Sequence, residues 1–414
     1  MKVLVISDIY PPEVIGGYEQ SCNQAVDALR RRGHDVRVLT TVPQLPVPPE
    51  DHVLRLLRRP DVFSTERLSS RSQFWELESN LLDSGNIYAL TTTLDQFRPD
   101  VCYLWNLVGI GGAGIVGALE YLGEPWVWHL ADAVPSQLCI FNGAVLPVAD
   151  EMSRRLTGRF LAVSQGLVNE IEHVVDLGDR TRIVPLWITD SEEPLRRTYS
   201  DGTFVSMAFA GQLVEHKGVL IALEALAQLR ELGYSQFSLD LYGRGADHMI
   251  TQRVRQLGLD PFVNFRGWTP QVDLRRRLRN HDLFIFPTWA REPFGIAPLE
   301  AAVEGCVPLI STPSGIAEWL VDDVHCLKAT RDSSAFAVVI KKVLDGEIDL
   351  AAMGRRASNL VRTQFTLDQV LPVIEEELGI MAAQHGEPLG SSADLYQLTI
   401  IAEAIIRRSL TQAA

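Results

Sequence analysis

Cysteine is scarce, basic charge is in deficit, and long apolar runs are nearly absent. The five cysteines, Cys22, Cys102, Cys139, Cys306 and Cys326, are scattered, and no two have metal-ligand or redox spacing. An odd, scattered set reads as reduced, mostly buried thiols of a cytosolic protein. The net charge of −14 argues against general nucleic-acid binding, although a local basic pocket would not register in that total. The uncharged stretch 101–119 holds Asn106 and five glycines, so it reads as a buried strand, a glycine loop and a buried helix rather than a membrane span. The apolar run at residues 1–7 is too short for a signal peptide and is followed at once by Asp8.

The remaining composition, 46% apolar and 22% charged, is that of a globular protein. At 414 residues two domains are expected. Strand-like runs at 2–7, 36–40, 100–104, 126–130, 160–163 and 181–184 alternate with helical patterns at 18–32, 73–97, 152–156 and 165–175. Residues 43–70, rich in proline and arginine, specify little, and 191–201 reads as a linker. A second series has strands at 204–210, 237–242, 263–265, 283–286, 307–310 and 325–327, with helices at 218–232, 246–257, 271–280, 296–304, 316–321 and 333–344. The expected fold class is therefore α/β, with two Rossmann-like domains at 1–190 and 203–363 and helices over 364–414. The second domain closes with a helix expected at 351–363, and the helices beyond it are expected at 367–378 and 395–410. The last carries Leu398, Ile401, Ile405 and Ile406 roughly on one face, which either packs on the body of the protein or forms a homo-oligomer interface.

The most informative stretch is Glu292-Pro-Phe-Gly-Ile-Ala-Pro-Leu-Glu300, which runs from a buried strand into a helix. Free amides of Phe294, Gly295 and Ile296 at that helix start would form an anion site between two carboxylates, pointing to a ligand with both phosphate and hydroxyl groups. A glycosidase acid/nucleophile pair is the competing reading of Glu292 and Glu300, and the anion site argues against it. Ligands of open parallel sheets lie beyond the carboxyl ends of the strands, where four more features fall. Gly16-Gly17 forms either a tight turn or a close approach to phosphate. Lys217, next to Gly218, is either a solvated lysine or a partner for a diphosphate leaving group. In Gly243-Arg244-Gly245, Arg244 would reach a phosphate or stack on a base. His129 ends a strand as a structural or an acid/base histidine, and Asp132 either orients it or caps a turn.

Together these residues resemble the retaining glycosyltransferases of family 4, from Met1 to about Leu378. The resemblance rests on the two glutamates spaced by seven residues in a Glu-x-Phe-Gly context, on Pro287-Thr288, on Gly211-Gln-Leu with Lys217-Gly218, on the Pro-Pro-x-x-x-Gly-Gly loop, on His129 and on Val163-Ser164. It implies a GT-B fold, two Rossmann-like domains facing across a deep cleft with the C-terminal helices returning to the first. It implies that Glu292 contacts the transferred sugar, Glu300 the ribose hydroxyls, and Gly16, Gly17 and Lys217 the diphosphate. His129 would hydrogen-bond the donor sugar, and Gly243 with Trp268 would sit near the base. Gln212 stands where many members carry arginine, which leaves Lys217, the three amides and Arg244 to meet the diphosphate.

The expected activity is transfer of a hexosyl group from a UDP- or GDP-linked sugar to an acceptor hydroxyl, with no cofactor and no metal. A phosphorylase or glycosidase on a related fold, or a non-catalytic sugar-nucleotide-binding protein, are the alternatives. The acceptor, a small molecule, saccharide or natural product, is expected to meet residues 10–17, 105–112 and 132–141. Acidic charge argues against a membrane-bound lipid acceptor; the arginine-bearing run 55–59 is the one counter-signal.

Overall fold

Continuous apolar runs become strands covered on both faces, as parallel sheets require. The computed structural model describes residues 1–44, 46–59, 80–141, 143–189, 198–199 and 203–413. They form two units, Met1–Val184 with Val370–Ala414, and Pro185–Gln369. Most of the linker read at 191–201 and the start of the helix read at 73–97 lie outside the described residues.

In the first unit, β1 (Lys2–Ile6), β2 (Asp35–Thr41), β3 (Val53–Leu57), β4 (Val101–Leu104), β5 (Trp126–Leu130), β8 (Arg159–Ala162) and β9 (Thr181–Ile183) form a parallel sheet of order β3-β2-β1-β4-β5-β8-β9. A short hairpin, β6 (Ile140–Phe141) with β7 (Ala144–Val145), stands apart. The helices are α1 (Gly17–Arg31), α2 (Ser84–Phe97), α3 (Gly112–Leu122), α4 (Val134–Cys139), α5 (Val148–Arg155) and α6 (Gln165–Glu172). Asp83 caps α2 by accepting from the Asn86 amide at 2.9 Å. The sequence reading missed β3. It is an edge strand whose Arg55 turns its guanidinium to the Pro11 carbonyl at 2.5 Å, so a charged residue sits in a pairing segment.

The second unit carries β10 (Val205–Ala210), β11 (Phe237–Tyr242), β12 (Val263–Gly267), β13 (Leu283–Phe286), β14 (Val307–Ser311) and β15 (Leu327–Ala329), all parallel, in the order β12-β11-β10-β13-β14-β15. Its helices are α7 (Val219–Glu231), α8 (Asp247–Gln256), α9 (Gln271–Leu278), α10 (Ala297–Val303), α11 (Ser333–Leu344) and α12 (Leu350–Gln364). Its core gathers Met207, Phe209, Leu223, Leu239, Ile285, Leu309 and Phe336, drawn from strands and flanking helices alike. Two expectations need correction. The helix read at 316–321 is a single 3-10 turn, Gly315–Glu318, held by amide bonds from Gly315 to the Glu292 carbonyl and from Ile316 to the Phe294 carbonyl. The last strand begins at Leu327, since residues 321–326 form a tight turn closed by the Asp323 amide on the Cys326 carbonyl.

The chain re-enters the first unit within α13 (Leu367–Ala382) and ends in α14 (Ser392–Ala413). Glu377, 2% exposed, accepts from Arg159 and from Arg182 at 2.9 Å, and Glu375 pairs with Arg32 at 2.7 Å and His34 at 3.0 Å. α14 meets α2 through Tyr396 on Tyr88, ring centroids 5.3 Å apart, and through Glu403, which accepts from the Ser84 amide. Of the apolar face read for this helix, Leu398 and Ile401 are 52% and 55% exposed, and the side chains of Ile405 and Ile406 lie outside the described residues. Among the described residues no helix is long and apolar enough to cross a membrane.

Candidate active site

In each sheet the strand order reverses beside one strand, at β1–β4 and at β10–β13, and ligands of such sheets lie at this switch point. In the second unit the two loops that leave the switch point are 211–218 and 287–296. They are bound tightly to each other. Gly218 has φ +81°, and a Cβ there would overlap the Pro287 carbonyl oxygen, so only glycine permits the contact. Arg331 ties both loops, donating to the carbonyls of Pro287 (3.2 Å), Glu215 (3.3 Å) and His216 (3.2 Å), and the Trp289 amide donates to His216 at 3.1 Å.

This packing sets Lys217 Nζ 2.5 Å from Glu292 Oε2, with 28% and 12% of their side chains exposed. The hydroxyl of Thr288, fully buried, donates to the same oxygen at 3.0 Å. Gly295 follows with φ +99°, and the amides of Phe294, Gly295 and Ile296 make no hydrogen bond among the described residues. The expected helix start shifts: α10 begins at Ala297 and has seven residues, so the amides themselves, more than a macrodipole, supply the positive potential. Gly315 makes room for this turn, since a Cβ there would overlap the Pro293 carbonyl.

Glu300 is buried on α10, and its carboxylate accepts from Gln271 Nε2. Burial pushes its pKa up, while the Gln271 bond and the Arg275 charge act the other way. Gln212 is exposed, and its carbonyl accepts from the Val214 amide at 3.0 Å. Gly243, expected near the base, has φ +138°, and a Cβ there would overlap the Gly211 carbonyl, so its missing side chain is explained by backbone meeting backbone. Arg244 rests over the Trp268 ring at 5.6 Å, and Trp268 is 61% exposed. Arg266 beside it is held by Asp240 at 2.8 Å.

In the first unit, Gly16 precedes α1 in extended backbone, and a Cβ there would meet nothing within 4 Å among the described residues. The Gly16 amide already donates to Glu19 at 2.8 Å, so a carboxylate of the chain itself sits at this helix start, and Gly17 opens the helix. His129 is fully buried. Its Nδ1 lies 2.7 Å from the Tyr103 hydroxyl, and its ring stacks on Trp105 at 4.6 Å. Burial pulls its pKa down to about 3, so the ring is neutral near pH 7. Asp132 accepts from the Ala133 amide at 2.7 Å and from Gln137 at 3.1 Å, which makes it the cap of a turn.

Sequence reasoning passed over Asp8. It follows β1 at the switch point and is 1% exposed, and its Oδ2 meets Asn106 Nδ2 at 3.3 Å and Arg59 at 3.7 Å. Its backbone carbonyl accepts from Thr40 and Thr41. Burial raises its carboxyl to about 7, Arg59 offsetting part of the cost. A charged residue directly after a buried strand was the available signal. The arginines of residues 55–59 are thereby accounted for internally: Arg55 on the Pro11 carbonyl, Arg58 on Asp83 at 2.6 Å, Arg59 by Asp8.

A family model described as "Glycosyl transferase 4-like domain" matches residues 16–187, and one described as "Glycosyl transferases group 1" matches residues 192–360. Glycogen synthase of Mycobacterium tuberculosis is 25% identical over 392 residues, 89% of this chain and 91% of that protein. Among solved structures, sucrose-phosphate synthase from Thermosynechococcus elongatus superposes with a TM-score of 0.71 at 18% identity, covering 92% of this chain and 99% of the other. Anabaena HepE in complex with UDP and glucose gives 0.66 at 20% identity, covering 92% and 100%. With one matched domain on each parallel sheet and a relative similar over nearly its whole length, the chain belongs to the GT-B glycosyltransferases of family-4 type.

Proposed function

We propose that this glycosyltransferase moves a hexosyl group from a UDP- or GDP-linked sugar to an acceptor hydroxyl with retention of anomeric configuration. The observation that carries the reading is the juxtaposition, at one switch point, of Lys217, Glu292 and three amides that make no hydrogen bond among the described residues. As the bond from the anomeric carbon to the diphosphate oxygen breaks, negative charge grows on the leaving group. Lys217 and the amides of Phe294, Gly295 and Ile296 stabilise that charge, in the place a metal would otherwise take. The acceptor oxygen bonds to the oxocarbenium-like carbon on the face the diphosphate leaves, and its proton passes to a phosphate oxygen.

Glu292 accepts from sugar hydroxyls, Glu300 from the ribose, and Trp268 with Arg244 offers a flat surface to the base. Gln212 and the backbone of Gly243 complete the donor contacts of the second unit; in the first unit Gly16, Gly17 and the neutral imidazole of His129 are the candidate ligand-binding groups. The acceptor is a small molecule, saccharide or natural product recognised by the first unit, and the reaction belongs to the cytoplasm. Thermal-shift screening of UDP- and GDP-sugars identifies the donor. Glu292→Ala then abolishes transfer while the protein stays folded; near-normal turnover would refute the assignment, and sugar release independent of any nucleotide would point to a hydrolase.

A further inference from the structure

Glu292 is held by two donors on a single oxygen. Lys217 Nζ and Thr288 Oγ1 both meet Oε2, at 2.5 Å and 3.0 Å, and no donor meets Oε1 among the described residues. The two donors differ in what a ligand does to them. Lys217 is 28% exposed on a long, flexible stem, and an arriving diphosphate competes with Glu292 for its charge. Thr288 is fully buried and carries no charge. Its backbone is fixed because its carbonyl accepts from Ser311 Oγ at 2.8 Å and the next amide, of Trp289, donates to His216. A phosphate entering the site therefore draws Lys217 away and leaves the hydroxyl of Thr288 as the bond that orients the carboxylate.

We infer that Thr288 is the positioning residue for Glu292: it keeps Oε2 occupied once Lys217 has turned to the diphosphate, so that Oε1 is presented to a hydroxyl of the transferred sugar. The inference rests on the donor role given to Glu292 above. The Thr288 hydroxyl acts through Glu292 alone, so its contribution is expected in the sugar half of the donor. An affinity that separates the two halves isolates it.

The test is calorimetric titration of wild type, Thr288→Val and Thr288→Ser with UDP, GDP, UDP-glucose, UDP-galactose and GDP-mannose. Valine keeps the shape and the backbone bond to Ser311 but removes the hydroxyl; serine keeps the hydroxyl and removes the methyl. For the sugar nucleotide that wild type binds more tightly than its bare diphosphate, Thr288→Val loses about tenfold in affinity, the effect of one hydrogen bond to a charged group. Thr288→Ser stays within about twofold, and all three proteins bind the bare diphosphate alike. Unchanged sugar-nucleotide affinity in Thr288→Val overturns the inference, as does an equal loss in both variants or a parallel loss for UDP or GDP, each of which reports packing. A wild type that binds none of the five ligands refutes the donor reading itself and the inference with it.

Discussion

Replacing Asp8 by asparagine isolates the energetic cost of the most deeply buried charge at the first switch point. The unfolded carboxyl ionises near 3.8 and the folded one near 7. Between those values the folded chain holds the extra proton, so stability falls as pH rises; the loss is absent below 3.8 and complete above about 7. A rise of this size corresponds to a loss on the order of 4 kcal/mol, of which about 3 kcal/mol falls between pH 5 and pH 8. Asparagine removes the titration and keeps an oxygen for Asn106 and Arg59. Its amide takes the place of Oδ1, which accepts no hydrogen bond among the described residues. Asp8→Asn is therefore expected to gain on wild type by about 3 kcal/mol on going from pH 5 to pH 8, or roughly 6–12 °C in melting temperature for a unit of this size. Thermal melts of both proteins at the two pH values give the difference directly. A pH-independent offset would show that Asp8 stays ionised in the folded protein and that Arg59 neutralises it fully.

The remaining predictions concern backbone and imidazole. Gly218→Ala forces a side chain into left-handed backbone against the Pro287 carbonyl, and is expected to cost more than about 2 kcal/mol and to weaken UDP or GDP binding by moving Lys217; Gly117→Ala, on the exposed side of α3 with open space around its Cβ, is the control and should stabilise slightly. The His129 ring, neutral down to about pH 3, should show no imidazole titration by NMR between pH 5 and pH 8, and a midpoint near 6.5 would refute its burial.

Both sheets were legible because a strand covered on two faces is apolar almost throughout: Val101–Leu104 and Leu283–Phe286 are wholly so, and Trp126–Leu130 is but for His129. An edge strand is under no such demand, which is why Val53–Leu57, with Arg55 inside it, was hidden. At the candidate site the stretches bearing Lys217 and Glu292 stood out by local pattern. Their partners did not: Thr288 was singled out only as part of a motif, and the Gln271 bond to Glu300 spans 29 residues of chain. Gly243 shows the limit from the other side, since glycine before a ligand and glycine before another backbone look identical in sequence, and here Gly211 is the neighbour. The apolar residues of α14 are a related case: periodicity finds a face without saying what covers it, and Leu398 and Ile401 are exposed.

The first unit is built from the two ends of the chain, and this sets an order on its synthesis. Glu375 and Glu377, which receive Arg32, His34, Arg159 and Arg182, leave the ribosome only after the whole intervening unit has been made. At translation rates of about 5–20 residues per second, the stretch from Val184 to Val370 takes roughly 10–40 s, during which four basic side chains of the nascent unit await their acids. The second unit, continuous in sequence, is free of that delay and can close first, so the part of the protein that bears Lys217 and Glu292 is positioned to mature before the part that begins the chain.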